Sequence, residues 1–247
     1  MPARNFIFYR GPSMLDGAPI VAIATIQRSS KNAKTGAMVQ TWIMRDDINP
    51  IDAARQGLDF SICGDCQHRG QHNDAGERIP STRSCYVRLD TAPLNVWSTA
   101  RRGRYDDLSS DLNTAAERVA GKLVRLGSYG DPAAVPFAVW NTLLANVAGR
   151  TGYTHQWRAF PEFAAWVMAS CDSSADRVAA RILNFRTFRV APATNYAREP
   201  GEILCPASAE AGKKTTCAAC KACGGHSARA KADVMIPAHG GGRKLVA

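Results

Sequence analysis

The 247-residue chain lacks several things, and each absence removes a class of function. No apolar run approaches the ~18 residues that a membrane-spanning helix needs. The opening stretch MPARNFIFYRGP breaks its apolar segment with an arginine and has no long hydrophobic core, so it does not read as a secretory leader. There is no nucleophile elbow, no phosphate-binding P-loop, no dinucleotide fingerprint and no HExxH motif. No internal repeat is evident, and the one biased segment is the Ala/Lys/Gly-rich stretch around 209–232. Acidic residues are few: 21 Asp and Glu stand against 31 Lys and Arg, a net charge of +10. A balance this basic makes an anionic partner, nucleic acid or nucleotide, a natural expectation. No membrane partner is expected.

Cysteine is what the chain has in quantity. The expected location is the cytoplasm, where thiols stay reduced. Eight cysteines at two- and three-residue spacings then read as metal or cluster ligands rather than disulfides. The first set is Cys63-Gly-Asp-Cys66 with Cys85 eighteen residues further on, and His68 and His72 between. A CxxC turn points two thiolates at one centre. Three cysteines leave a position open. Zinc closes such a set with His68, His72 or Cys171, whereas a [4Fe–4S] cluster leaves one iron free. The second set is Cys205, then Cys217, Cys220 and Cys223, in the run CPASAEAGKKTTCAACKACGG. Four thiolates close a site. The Cys-x2-Cys-x2-Cys run favours [4Fe–4S], with zinc as the alternative and His226 as a substitute ligand. Cys171, inside VMASCDS, is expected to be a buried apolar side chain.

The rhythm of the chain suggests mixed α/β structure. Ile20 to Ile26 and Val39 to Met44 predict a hairpin across the polar loop RSSKNAKTG, and NPIDAARQG a short helix capped by Asn49. From residue 58, LDFSI is expected as a strand ending in CGDC. Strands at LVRLGSY, TGYTHQW, VMASCDS, FRTFRV, ILCPAS and ADVMIPAH then alternate with helices LNTAAERVAGK, VPFAVWNTLLANVAG, FPEFAAW and SADRVAARILN. This alternation predicts βαβ units. The expected architecture is a partial (βα)6-type barrel over 58–200, with an N-terminal antiparallel β addition over 1–57 and a Cys-rich segment over 201–247. Strand ends would bring Cys63, Cys66, Ser128, Gly130, Asp131, His155, Cys171, Asp172 and Arg189 to one mouth. Of these, Asp131, His155 and Asp172 are the candidate catalytic side chains.

Cysteines after a first barrel strand, the Tyr129-Gly130-Asp131-Pro132 turn after the next, and a C-terminal cysteine cluster together resemble the radical S-adenosylmethionine superfamily. The resemblance implies a [4Fe–4S] cluster on Cys63, Cys66 and Cys85, and S-adenosylmethionine (SAM) bound by Ser128, Tyr129, Gly130 and Asp131. It also implies an auxiliary cluster on Cys205, Cys217, Cys220 and Cys223. The pattern departs from that superfamily in its Cys-x2-Cys-x18-Cys spacing and in an aspartate where a glutamate is usual. SYGDP, YTHQW, MASCDS, RTFRV and CPASAEAG further resemble a family of phage-encoded proteins, which implies a host cytoplasm and a possible host-protein partner but no reaction. The alternative function is a metal-stabilised nucleic-acid-binding or host-interaction protein without catalysis. It draws on Arg78, Arg83, Arg88, Arg101, Arg102 and Arg104, and on a basic tail (Lys213, Lys214, Lys221, Arg229, Lys231, Arg243, Lys244). Trp97, Tyr105 and Tyr129 are its candidate base-stacking aromatics.

Overall fold

The computed structural model describes residues 4–26, 34–212, 214–226 and 231–246. Strands β1 (Phe6–Pro12), β2 (Pro19–Thr25) and β3 (Val39–Arg45) pair antiparallel in chain order. The β2 sequence PIVAIAT is a continuous apolar run rather than an alternating one, and it is buried on both faces as the central strand of the three. Most of the RSSKNAKTG loop lies outside the described residues. Helix α1 (Pro50–Arg55) starts as expected: Asn49 Oδ1 accepts from the Ile51 and Asp52 N–H groups, and Pro50 occupies the first turn.

The next segment departs from the sequence reading. LDFSI is not a strand: Phe60–Cys63 forms the short helix α2, with the Ile62 and Cys63 N–H groups donating to Asp59 O. A short apolar run does not by itself distinguish strand from helix. Here Ile62 packs inward while Leu58 and Phe60 stay exposed, and β3 takes the strand position instead. Helix α3 (Ala92–Arg101) was not expected either. Then follow β4 (Asp106–Asp107), α4 (Leu112–Val119, capped by Asp111), β5 (Leu123–Tyr129), α5 (Phe137–Leu144), β6 (Gly149–Thr151) and β7 (Tyr153–Thr154). FPEFAAW forms only a 3-10 turn, Pro161–Ala165. The chain continues through β8 (Met168–Cys171), α6 (Ser174–Ile182), β9 (Thr187–Ala191), β10 (Glu202–Leu204), α7 (Cys217–Cys220) and β11 (Asp233–Pro237).

Seven of the nine strand pairs are parallel, so the fold is mixed α/β with a parallel-dominated sheet arrangement. One sheet has the order β4-β1-β2-β3-β5-β6, the other β10-β11-β9-β8-β7. Among the described residues no closed barrel forms. Because β3 pairs with β5, residues on both sides of the expected 57/58 boundary share a sheet. The chain passes between the sheets at Gly152: β6 pairs with β5, and β7 with β8. The Gly152 N–H donates to Cys223 O, and its carbonyl accepts from Met168. Cys217 N–H likewise reaches back to Lys34 O.

A buried ionic network ties α6 to the second sheet. Arg177 donates to Asp233, Glu199 and the Pro200 carbonyl, and Arg189 pairs with Glu202. Arg189 was expected at the mouth with the strand-end residues; it is instead spent in this network. No helix among the described residues is long and apolar enough to cross a membrane.

Candidate functional site

Seven of the eight cysteines line one cavity of about 510 Å³. None is in a disulfide. Local hydrogen bonds assemble the first group. Cys63 ends α2, Cys66 N–H donates to Cys63 O, and Cys85 N–H donates to His68 O, which folds Cys85 back onto the CxxC turn. Arg69 buckles the loop by donating to Asp59 Oδ1 and to the Gly57 and Gly64 carbonyls. Gln156, just after β7, holds it from the other side through Cys63 O and Asp65. Burial pushes the Cys63 thiol well above its ordinary value, and Asp59, Cys66 and Cys85 add to the shift. Burial raises Cys85 as well.

The second group is built around α7. Thr216 caps it by accepting from Ala219 N–H, and Lys221 in the left-handed region turns the chain so that Cys223 follows. Cys205 comes in from β10, its N–H on Met235 O. Burial lifts Cys217, and lifts Cys223 to about 12 with Cys205, Cys217 and Cys220 contributing. Burying several thiolates together costs free energy unless a positive centre sits among them. Arg125 on β5 supplies part of that charge. Burial works against its guanidinium, but Tyr86, Tyr153, Cys217 and Cys223 outweigh it and hold it firmly protonated.

The turn 128–131 lies on the wall between the groups. Gly130 has φ of 82°, and a Cβ there would meet Ile43 O at 2.5 Å, so only glycine lets the turn pack on β3. Ser128 Oγ donates to Gln40 Oε1. The Tyr129 hydroxyl is buried at the cavity wall without a hydrogen-bond partner, near Cys63 and Cys85. Asp131 is spent inside the chain: Oδ1 accepts from Ala133 N–H and the Thr154 hydroxyl, and Oδ2 from His155 N–H. Burial raises its pKa against those hydrogen bonds.

His155 and Asp172 meet beside Cys66. His155 Nε2 lies 3.7 Å from Cys66 Sγ and 3.4 Å from Asp172 Oδ2, while His68 Nε2 lies 3.1 Å from Asp172 Oδ1. His68, His155 and Asp172 are the one set of three or more potential ligands among the described residues whose ligand atoms all lie within 4.8 Å of one another. No three thiols do. Thiolates sharing one zinc at about 2.3 Å stand roughly 3.8 Å apart, so neither cysteine group is drawn into single-ion spacing.

Other candidates fall outside the cavity, except Arg83 and Lys221, which line it. Cys171 is fully buried on β8, and burial raises its thiol strongly. His72 bridges to Arg78, and His226 faces Asn184 O. Trp97 donates to Arg45 O and packs on the core with Tyr105. Lys213 and Arg229 lie outside the described residues; Lys214, Lys221, Lys231, Arg243 and Lys244 are exposed. Sequence reasoning missed Arg125, Tyr86, Tyr153 and Gln156, none of which carries a local motif. Comparison with known protein families, with curated proteins and with solved structures finds no match to this chain, so the site stands on its own geometry.

Proposed function

We propose that the chain is an iron–sulfur protein of radical-SAM-like architecture. Cys63, Cys66 and Cys85 would hold one [4Fe–4S] cluster, and Cys205, Cys217, Cys220 and Cys223 a second. The observation that carries this reading is the convergence of seven unpaired thiols, from two distant segments, on one cavity. A cubane spreads its thiolates over separate irons, farther apart than the ligands of a single ion, which suits thiols that do not crowd to single-ion spacing. The thiols that burial raises, Cys63, Cys85, Cys217 and Cys223, and a guanidinium at Arg125 that pairs with no carboxylate among the described residues suit an anionic metal–thiolate centre. The parallel succession β3, β5, β6–β7, β8, β9, β11, joined across Gly152, supports a partial (βα)6-type barrel. Such clusters supply one-electron transfer when bound.

The narrower reading, SAM bound at the turn 128–131, would rest on Ser128 and main-chain groups, since the Asp131 carboxylate is engaged. The test is iron, sulfide and zinc content after anaerobic purification. Iron and sulfide in near-equal amounts with broad visible absorption are expected; a colourless zinc protein overturns the reading. Saturable SAM binding, lost when Cys63, Cys66 and Cys85 are replaced by alanine, tests the narrower part. A metal-stabilised nucleic-acid-binding protein is the second reading, favoured by the exposed Arg101, Arg102 and Arg104 at the end of α3. Its mark would be binding to DNA or RNA that weakens steeply with salt.

A further inference from the structure

We propose that His68, His155 and Asp172 form a separate mononuclear site for a first-row divalent cation. The three residues come from three places in the chain: the loop after the CxxC turn, the end of β7 and the end of β8. All are largely buried, with side chains 12%, 19% and 17% exposed.

The spacing suits ligands of one divalent ion. Two nitrogen or oxygen ligands at about 2.0–2.1 Å from a tetrahedral zinc stand roughly 3.3 Å apart. The His68–Asp172 and His155–Asp172 separations are 3.1 and 3.4 Å. The same contacts serve as hydrogen bonds to the Asp172 carboxylate, which holds both rings at ligand spacing before an ion arrives. The two imidazoles use opposite oxygens of one carboxylate and meet edge to face, with ring centroids 5.6 Å apart.

A second observation is the support behind the ligands. His68 Nδ1 sits 2.7 Å from Ser84 Oγ, which leaves Nε2 facing Asp172. A metal-ligating histidine is characteristically oriented by a partner on its other nitrogen. The main chain of His155 is pinned by Asp131, and the N–H of Asp172 by Asp176. No Lys or Arg among the described residues pairs with Asp172, although the chain is strongly basic. Its ion-pair partners among the described residues are the two histidines.

Two imidazoles and a carboxylate select a borderline divalent ion such as zinc or ferrous iron rather than calcium or magnesium. Three protein ligands leave a position open toward the cavity, the arrangement of a catalytic rather than a structural metal. Cys66 lies within reach of His155 but stays with Cys63 and Cys85 in this assignment. The site therefore stands independently of the iron–sulfur reading.

The experiment uses the full-length protein, purified anaerobically, titrated with Co²⁺ and followed by its visible ligand-field bands. One equivalent is expected to bind. Asp172→Asn and His155→Ala should each weaken binding by about 100-fold, and Ser84→Ala, which removes only the support of His68, by about tenfold. Iron and sulfide content should be the same in all of them, whatever its value. Cys66→Ser should leave Co²⁺ binding within a few-fold. Circular dichroism shows whether each variant is folded; if a ligand variant is not, Ser84→Ala decides. The proposal is overturned if wild-type protein takes up no Co²⁺, if the folded ligand variants or Ser84→Ala bind it unchanged, or if Cys66→Ser alone abolishes binding. The last result would assign the ion to the thiols.

Discussion

Arg125 donates from Nη2 to the Tyr86 hydroxyl at 2.8 Å, and no carboxylate among the described residues pairs with it. A half-buried guanidinium so placed draws its negative charge from elsewhere, and beside Tyr86 and Tyr153 the groups acting on it are Cys217 and Cys223. Arg125→Gln should therefore weaken metal retention at the second cysteine group by about tenfold. Chelator competition against the wild-type protein measures this. Tyr86→Phe keeps the guanidinium in place and should have a smaller effect.

Cys171 and Cys205 are both buried, yet only Cys205 lines the cavity. Cys171→Ala should leave iron and sulfide content unchanged and cost about 1 kcal/mol of stability. On the proposed iron–sulfur reading, Cys205→Ala should lower the iron content by the share assigned to the second group. Elemental analysis alongside urea unfolding separates the two behaviours.

Gly130 and Gly121 both adopt positive φ, at 82° and 68°, but only Gly130 is crowded. Gly121→Ala should cost about 1 kcal/mol, the penalty of the left-handed backbone alone. Gly130→Ala should cost about 2–4 kcal/mol, because the new Cβ also drives the turn off Ile43. Urea midpoints of the two variants give the comparison.

The metal-free protein should show a stability plateau with two falling limbs. Burial works against the Asp172 charge, but hydrogen bonds from His155 and His68 hold the carboxyl well below the usual carboxylate range. Its contribution is therefore present above about pH 4 and lost as the pH falls below it. Burial likewise opposes the His155 charge, but Cys66 and Asp172 raise its pKa well above the ordinary value. That contribution is complete below about pH 6.5 and lost as the pH rises through the folded value. Asp172→Asn should flatten both limbs, by on the order of 1–3 kcal/mol on the acid side. Unfolding midpoints measured across the pH range with a chelator present test it.

The local features of this fold were legible in the sequence. Asn49 and Asp111 cap helices as their positions suggested, and the β5, β8, β9 and β11 segments are strands. The cysteine spacings marked two groups, although the sharing of one cavity is a long-range fact. LDFSI misled because five apolar-rich residues carry no period, and Asp59 carbonyl bonding decided for helix. The pairing of His68 with Asp172 spans 104 positions, and Arg125 to Tyr86 spans 39. Such contacts depend on strand order, which no window of sequence contains.

The junction at Gly152 has a consequence for biosynthesis. Its N–H is closed by Cys223 O, and Cys217 closes on Lys34 O. Cys217 and Cys223 thus complete contacts with residues synthesised far earlier, at 34 and 152. The first sheet can form as it emerges, but the Gly152 contact waits for residue 223, and the second sheet waits for β11 between β9 and β10. A ribosome stalled before the CAACKAC run should therefore carry an unfinished, protease-sensitive intermediate.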